Sequence, residues 1–90
     1  MAEKRFYGAS EGWSKLGIID YLGDVWADSD ESLLSELNAN DIETVTDAEC
    51  QQFASDTDDA EFYDEEEMRV AFRDIALKLL ANIAKRVGKA

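Results

Sequence analysis

The sequence predicts an all-α fold, a small bundle of three to four helices organised around a long C-terminal helix. Apolar residues recur at spacings of three and four through residues 65–88, and shorter segments with helical spacing precede them. No segment shows the alternation over four to eight residues that marks a strand. A length of 90 residues suits one domain, so residues 1–90 are expected to form a single acidic helical domain.

The C-terminal helix carries the strongest pattern. Its apolar face collects residues at helical spacing, namely Met68, Phe72, Ile75, Leu79 and Ile83. Acidic residues at the start of the helix, with Lys85 and Arg86 at its end, suit the helix dipole, and Gly88 can adopt the left-handed conformation that ends a helix. Val70 and Leu77 lie off the apolar face. We expect short neighbouring helices to leave both uncovered, and we predict a homodimer with this helix at the interface.

A first helix is predicted over residues 11–27, with Ser10 as its N-cap. Its inward stripe is formed by Leu16, Ile19, Leu22 and Trp26, bordered by Ile18 and Val25. The opposite side carries Asp20, Asp24 and Asp28, each four residues after the last. Carboxylates at this spacing repel one another by about 0.2–0.5 kcal/mol per pair. A helix optimised for stability alone would carry lysines among them, so this row points to a function.

The segment after the first helix is predicted to hold a short helix over residues 31–38, followed by a turn at residues 38–41. The leucines that this helix is expected to bury are Leu33, Leu34 and Leu37. Ile42 and Val45 are isolated apolar residues beyond the turn. We expect them to insert into the core from a connecting segment.

A third helix is predicted over residues 47–55. Thr46 followed by Glu49 matches the capping box, in which the two side chains reciprocally satisfy backbone N–H groups at a helix start. Residues 56–59 are expected to form an acidic loop before the C-terminal helix. Phe62 and Tyr63 are expected to pack near the start of that helix.

The charge distribution is the least ordinary feature of the sequence. The net charge is −12, and no Lys or Arg occurs in residues 16–68, a run of 53 residues that holds 18 of the 21 acidic residues. Such a chain repels nucleic acid and anionic membranes and attracts basic surfaces. A charge that serves only solubility, or a high-salt environment, is the plainer alternative.

The residue types argue against an enzyme. The chain has no histidine, which removes the commonest acid–base group and the usual zinc sites, and it has no glycine-rich phosphate loop. The acidic neighbours of Cys50 would raise the pKa of its thiol rather than activate it. We therefore expect no catalytic residues and no cofactor. The lone cysteine, and the lack of an apolar run for a signal peptide or a membrane span, favour the cytoplasm.

A calcium loop is the one metal site that the spacing suggests. Four acidic residues occupy ligand positions of such a frame, namely Asp56, Asp58, Asp64 and Glu67. Ala60 stands at another ligand position, and Glu61 replaces the glycine that the sharp turn requires. We expect no specific metal site.

Three aromatic residues fall on the predicted first helix. Trp26 belongs to its inward stripe, whereas Trp13 and Tyr21 lie nearer the acidic side. An exposed aromatic beside carboxylates would anchor an interface with a basic partner. The alternative for both is packing against the N-terminal arm, residues 1–9, which is assigned no regular element.

In charge, size, helicity and the base-free run of residues 16–68, the chain resembles the small acidic phage- and plasmid-encoded inhibitors that mimic DNA, including anti-restriction and anti-CRISPR proteins. The resemblance implies a cytoplasmic protein that binds a basic, nucleic-acid-binding protein and inhibits it, without binding nucleic acid or membrane itself. The expected partner-binding residues are Asp20, Asp24, Asp28, Asp30 and Glu31, with a second cluster of Asp56, Asp58, Asp59 and Glu61.

Two other functions fit the same composition. An antitoxin or immunity-type protein would block a basic enzyme by shape rather than by imitating DNA. An acidic structural module would use its long helix, through Val70 and Leu77, for self-association.

Overall fold

The computed structural model describes residues 5–6, 13–29 and 36–88. Their elements are β1 (Arg5–Phe6), β2 (Trp13–Ser14), α1 (Lys15–Asp28), α2 (Ala39–Glu43), α3 (Asp47–Asp59) and α4 (Glu65–Arg86). The two strands form a short antiparallel pair, with Arg5 opposite Ser14 and Phe6 opposite Trp13. The predicted all-α bundle with a long C-terminal helix is confirmed. The strand pair is an addition that the sequence did not predict.

One hydrophobic core joins the helices. α1 and α3 both pack against α4, and α2 closes the end of the bundle against α1 and α4. The largest fully buried side chains are Phe53, Ile18, Leu22, Leu80, Ile83, Val45 and Cys50. Leu37, Ile42 and Val45 are buried as predicted, although Ile42 belongs to α2 rather than to a connecting segment.

α4 matches its predicted start, end and inward face. Asp64 is the N-cap, and its carboxylate accepts a hydrogen bond from the backbone N–H of Glu67 at 2.8 Å. Gly88 follows the helix with a φ of 78°, the left-handed conformation expected of it. Leu77 is half-buried against the core, whereas Val70 is 57% exposed. The expectation that both residues would be left uncovered is therefore wrong for Leu77.

α1 starts later than predicted and is rotated from its predicted orientation. Trp13 and Ser14 belong to β2, and Ser14 caps the helix by accepting the N–H of Gly17 at 2.9 Å. The buried residues of α1 are Ile18, Leu22 and Val25, with Ile19, Tyr21 and Trp26 partly buried against the same core. Leu16, predicted to face inward, is 65% exposed. Apolar residues cover more than half of this helix, so spacing alone does not fix the side that faces inward. The predicted N-cap Ser10 lies outside the residues that the structure describes.

The segment between α1 and α3 differs from its prediction. Residues 30–35 are not described, and the described end of the predicted helix over residues 31–38 is not helical. α2 instead begins at Ala39, within the predicted turn. Asn38 Oδ1 accepts the N–H of Asp41 at 3.0 Å, and Asp41 Oδ2 accepts the N–H of Asn38 at 3.1 Å. This reciprocal cap starts a helix where composition alone indicated a turn.

α3 begins as predicted and ends later. Thr46 Oγ1 accepts the N–H of Glu49, and Glu49 Oε1 accepts the N–H of Thr46, which confirms the capping box. The helix continues to Asp59, so the predicted acidic loop at residues 56–59 is wrong. Thr57 is buried there, and its hydroxyl donates to the carbonyl of Ala54 at 2.8 Å. Burial of this turn offsets the poor helix propensity of its aspartates.

Candidate functional site

The acidic row of α1 keeps two unpaired carboxylates. Asp20 and Asp24 are exposed and form no salt bridge within residues 13–29 and 36–88. Asp28 is exposed as well, but its Oδ2 lies 2.6 Å from Nη1 of Arg73 on α4. The row therefore consists of two free negative charges followed by a neutralised one.

The Asp28 end of the row opens onto a shallow groove between α1 and α4. The groove has a volume of about 350 Å³ and is lined by Tyr21, Asp24, Val25, Asp28, Arg69 and Arg73. Arg69 is itself paired with Glu65, at 3.1 Å. Two guanidinium groups thus lie beside the carboxylates, and the groove has mixed charge. Arg73 belongs to the acidic face, although it is far from that face in the sequence.

The second predicted cluster lies at the end of α3 and just beyond it. Asp58, Asp59 and Glu61 are exposed, and Asp56 is half-buried and accepts a hydrogen bond from Gln52 Nε2 at 2.8 Å. The structure thus brings these four carboxylates into one short segment. Asp30 and Glu31, the remaining predicted binding residues, lie outside the described residues.

The residues of the calcium frame do not form a loop. Asp56 and Asp58 lie within α3, and Asp64 caps α4. Across residues 5–6, 13–29 and 36–88, no group of three or more acidic or cysteine side chains is arranged to hold a metal ion.

A groove at the start of α4 was not predicted. It has a volume of about 710 Å³ and is lined by Glu61, Tyr63, Asp64, Glu66, Glu67, Val70, Ala71 and Asp74. We call it the α4 groove. Five of its eight lining residues are acidic and none is basic, while Tyr63 is 98% exposed. The sequence signal was an aromatic residue directly before a run of carboxylates, with Val70 off the inward face of the helix.

The side chain of Tyr63 is exposed to solvent, and its backbone is hydrogen-bonded to α4. The ring of Phe62 packs edge-on against Phe72 on α4, with centroids 6.0 Å apart, which confirms that Phe62 packs near the start of α4 although it is 41% exposed. The backbone N–H of Tyr63 donates to Oε2 of Glu67 at 2.7 Å. The expectation that Tyr63 packs near the start of α4 is wrong, because its side chain is almost fully exposed.

Trp13 and Tyr21 are packing residues. The ring of Trp13 meets Phe53 edge-on at 4.9 Å, and its Nε1–H donates to Oγ1 of Thr57 at 3.2 Å. Tyr21 lies 5.9 Å from Trp13 between ring centroids. Burial raises the pKa of the Tyr21 phenol, against the opposing effect of the Arg73 charge. Both side chains are partly buried against the core, so the expectation of exposed anchors is wrong for Trp13 and Tyr21.

Glu49 and Cys50 also have shifted pKa values. Burial alone would raise the pKa of Glu49, but hydrogen bonds from the Thr46 N–H, Arg86 and Asn82, with the Arg86 charge, lower it. Burial raises the pKa of the fully buried Cys50 thiol, so the thiol is protonated at neutral pH. Both groups are arranged for packing and structural hydrogen bonding.

The comparisons with known proteins leave the site to be interpreted from its geometry. Protein-family models, curated protein sequences and solved structures give no match to this chain. None of the described helices has both the length and the apolar character that crossing a bilayer requires.

Proposed function

We propose that this protein is a non-catalytic inhibitor that occupies the basic, nucleic-acid-binding surface of another protein in the manner of a DNA mimic. One observation carries the proposal. Exposed carboxylates on α1, the end of α3 and the start of α4 have no salt-bridge partner within the described chain, namely Asp20, Asp24, Asp58, Asp59, Glu61 and Glu66. Unpaired charges of one sign supply no stability to the fold, but they complement a basic surface.

The spacing of the charges supports the same proposal. Asp20 and Asp24 are one helical turn apart, about 6 Å along the axis. A DNA strand presents one phosphate about every 3.4 Å, which is roughly half the spacing of the two carboxylates. A rigid helix therefore offers negative charge at a linear density within about a factor of two of a DNA strand. With a net charge of −12, association with a basic partner is steered electrostatically.

The partner is to be identified by pull-down from a bacterial lysate at low and at high salt, followed by mass spectrometry. DNA is then added as a competitor. Mimicry requires that DNA and this protein exclude one another from the partner, and that binding weakens steeply as salt rises, mainly through slower association. A partner that holds both at once would overturn the proposal.

The double variant Asp20→Lys/Asp24→Lys tests the α1 row directly. Binding to the partner should weaken more than tenfold, equivalent to roughly 1.4 kcal/mol. Both side chains are exposed, so the fold should persist. Glu36→Lys/Glu43→Lys is the matched control, because it makes the same change in net charge at exposed positions around α2. Equal effects of the two variants would mean that only total charge matters.

An immunity-type inhibitor that blocks a basic enzyme by shape is the second candidate. The exposure of Tyr63, at 98%, and of Val70, at 57%, favours it, because large exposed anchors dominate interfaces of that kind. Under this alternative, Tyr63→Ala weakens binding more than Asp20→Lys/Asp24→Lys does, and salt has little effect.

A further inference from the structure

We infer that the α4 groove is the docking site for a basic segment of the partner protein, with an arginine guanidinium seated over the ring of Tyr63. The inference rests on the proposed function in one respect, that the partner is basic. It adds which surface is contacted and by which chemistry.

The apolar part of the groove is an exposed patch that the fold does not use. Tyr63 is 98% exposed and Val70 is 57% exposed, and with Ala71 they line one open groove. A phenol ring held almost fully in solvent makes no contribution to the core. Exposed apolar surface that is surrounded by charged residues is typical of interaction sites.

The charges of the groove select a cation. Asp64 and Glu67 cap the helix, so their charges are partly offset by the positive end of the α4 dipole. Glu66 lies in the same first turn, but its carboxylate, like those of Glu61 and Asp74, forms no hydrogen bond or salt bridge with another described residue. These three carboxylates would repel a phosphate. In a pair of two copies of the chain, the same carboxylates would repel one another. A basic segment is the occupant whose charge is complementary.

The ring of Tyr63 favours arginine over lysine. A guanidinium is planar, weakly hydrated and able to stack on an aromatic face while donating to carboxylates at its edge. The backbone of Tyr63 is already fixed by its 2.7 Å hydrogen bond to Glu67, and the neighbouring Phe62 is packed on Phe72. Little ordering of the loop is therefore needed on binding, which favours affinity.

The test uses the full-length protein, labelled with ¹⁵N, and two synthetic peptides of equal charge, nona-arginine and nona-lysine. Amide shifts are followed during titration at low salt and again near physiological salt. We expect the largest shifts in residues 61–74 rather than in α1, and an affinity for nona-arginine at least threefold above that for nona-lysine. Tyr63→Ala should abolish this preference, and Tyr63→Phe should keep it.

A pair of charge-matched variants separates the groove from general electrostatics. Glu66→Gln/Asp74→Asn should weaken nona-arginine binding at least threefold more than Asp20→Asn/Asp24→Asn, although both remove two negative charges from exposed positions. All four side chains are exposed, and dispersed amide spectra verify the fold of each variant. Equal weakening by the two variants, shifts spread over every acidic face, or an unchanged preference in Tyr63→Ala would each overturn the inference.

Three further outcomes have defined meanings. Concentration-dependent shifts of residues 61–74 without peptide would assign the groove to a second copy of the chain and would also overturn the inference. If the peptides fail while DNA still competes for the partner, the proposed function stands and only the docking site falls. If the peptides bind the groove while DNA does not compete, mimicry falls and the groove stands.

Discussion

Glu49 joins the start of α3 to α4 through one carboxylate, and Arg86 extends this network to the end of α2. It completes the capping box of α3 with the Thr46 N–H. From α4 it receives Asn82 Nδ2 at 2.7 Å and Arg86, whose Nε and Nη2 lie 3.2 and 3.0 Å from its two oxygens. Arg86 Nη2 also donates to the carbonyl of Thr44. A bidentate Arg–carboxylate pair with satisfied neighbours is stronger than an isolated surface ion pair.

We predict that Glu49→Gln lowers the free energy of unfolding by about 1–3 kcal/mol at neutral pH, because it removes charged hydrogen bonds. The pKa of Glu49 is lower in the folded than in the unfolded protein, so the stabilisation is present above the unfolded value of about 4.3. It is lost as the pH falls through the folded pKa. Urea denaturation of both proteins over this range should show the difference shrinking with acid.

Glu43→Gln is the control for Glu49. Glu43 is exposed and its carboxylate has no hydrogen bond or ion pair within the described chain. Glu43→Gln should therefore change the free energy of unfolding by no more than about 0.5 kcal/mol. The difference in the free energy of unfolding between Glu49→Gln and the parent should shrink as the pH falls. If it stayed constant, the network would not depend on the ionised carboxylate.

At the scale of the element, α1 contains a glycine without a structural need. A Cβ added at Gly23 would meet nothing within 4 Å, and the position lies inside the helix. We predict that Gly23→Ala raises the free energy of unfolding by about 0.5–1 kcal/mol through helix propensity and reduced freedom of the unfolded chain. Thermal and urea denaturation measure this change in the free energy of unfolding.

Gly17 provides the comparison on the same helix. A Cβ there would lie 3.0 Å from Oγ of Ser14, the atom that caps α1. Gly17→Ala should therefore raise the free energy of unfolding less than Gly23→Ala does, or should lower it, because the Ser14 cap must move. If both substitutions stabilised the protein equally, the capping role of Ser14 would be wrong.

The parts of the fold that could be predicted from the sequence are those fixed by local chemistry. The capping box of Thr46 and Glu49 and the left-handed Gly88 need only near neighbours, and both were confirmed. The position of Trp13 depends on Thr57, which is 44 residues away. The rotation of α1 depends on similar long-range contacts, and the strand pair, with two residues in each strand, is too short to leave an alternating pattern.

The candidate site also has a part that the sequence predicts and a part that only the fold reveals. The carboxylates of the α1 row and of the α3 end were predicted because charge and helical spacing are visible in the sequence. The pairing of Arg73 with Asp28, and the exposure of Tyr63, arise only when α4 is placed against α1 and α3. A sequence pattern shows which residues are charged, but not which charges are neutralised by a distant partner.

At the scale of the whole molecule, the charge of the acidic face is moderated by Arg73. We predict that Arg73→Gln increases the association rate with a basic partner by about two- to fivefold at low salt, because it frees Asp28 at the end of the row. Stopped-flow or surface-based kinetics measure the rate. Lys78→Gln changes the net charge equally away from this row and should have a smaller effect. Equal rates for both variants would remove Arg73 from the binding face.

Self-association stays a prediction from the sequence, with Val70 as its exposed residue; it would place a second copy in the α4 groove and so excludes the docking of a basic segment there. The side chains around Val70 in the α4 groove include Glu66, Glu67 and Asp74. Two copies that paired here would repel through these carboxylates, so dimerisation should strengthen with salt, opposite to the binding of a basic partner. Sedimentation equilibrium of the parent and of Val70→Glu tests this. A 10.1 kDa species at all salt concentrations would contradict it.

The packing of α1 and α3 on α4 also sets the order in which this chain can fold. Residues 29–64 separate α1 from α4, so the main contacts of the core require a long loop to close, and folding should be slower than in a bundle of sequential neighbours. During synthesis, Ile18, Leu22 and Phe53 leave the ribosome before the helix that covers them. The base-free acidic run of residues 16–68 emerges in the same interval. Its mutual repulsion keeps unfinished chains apart until α4 arrives.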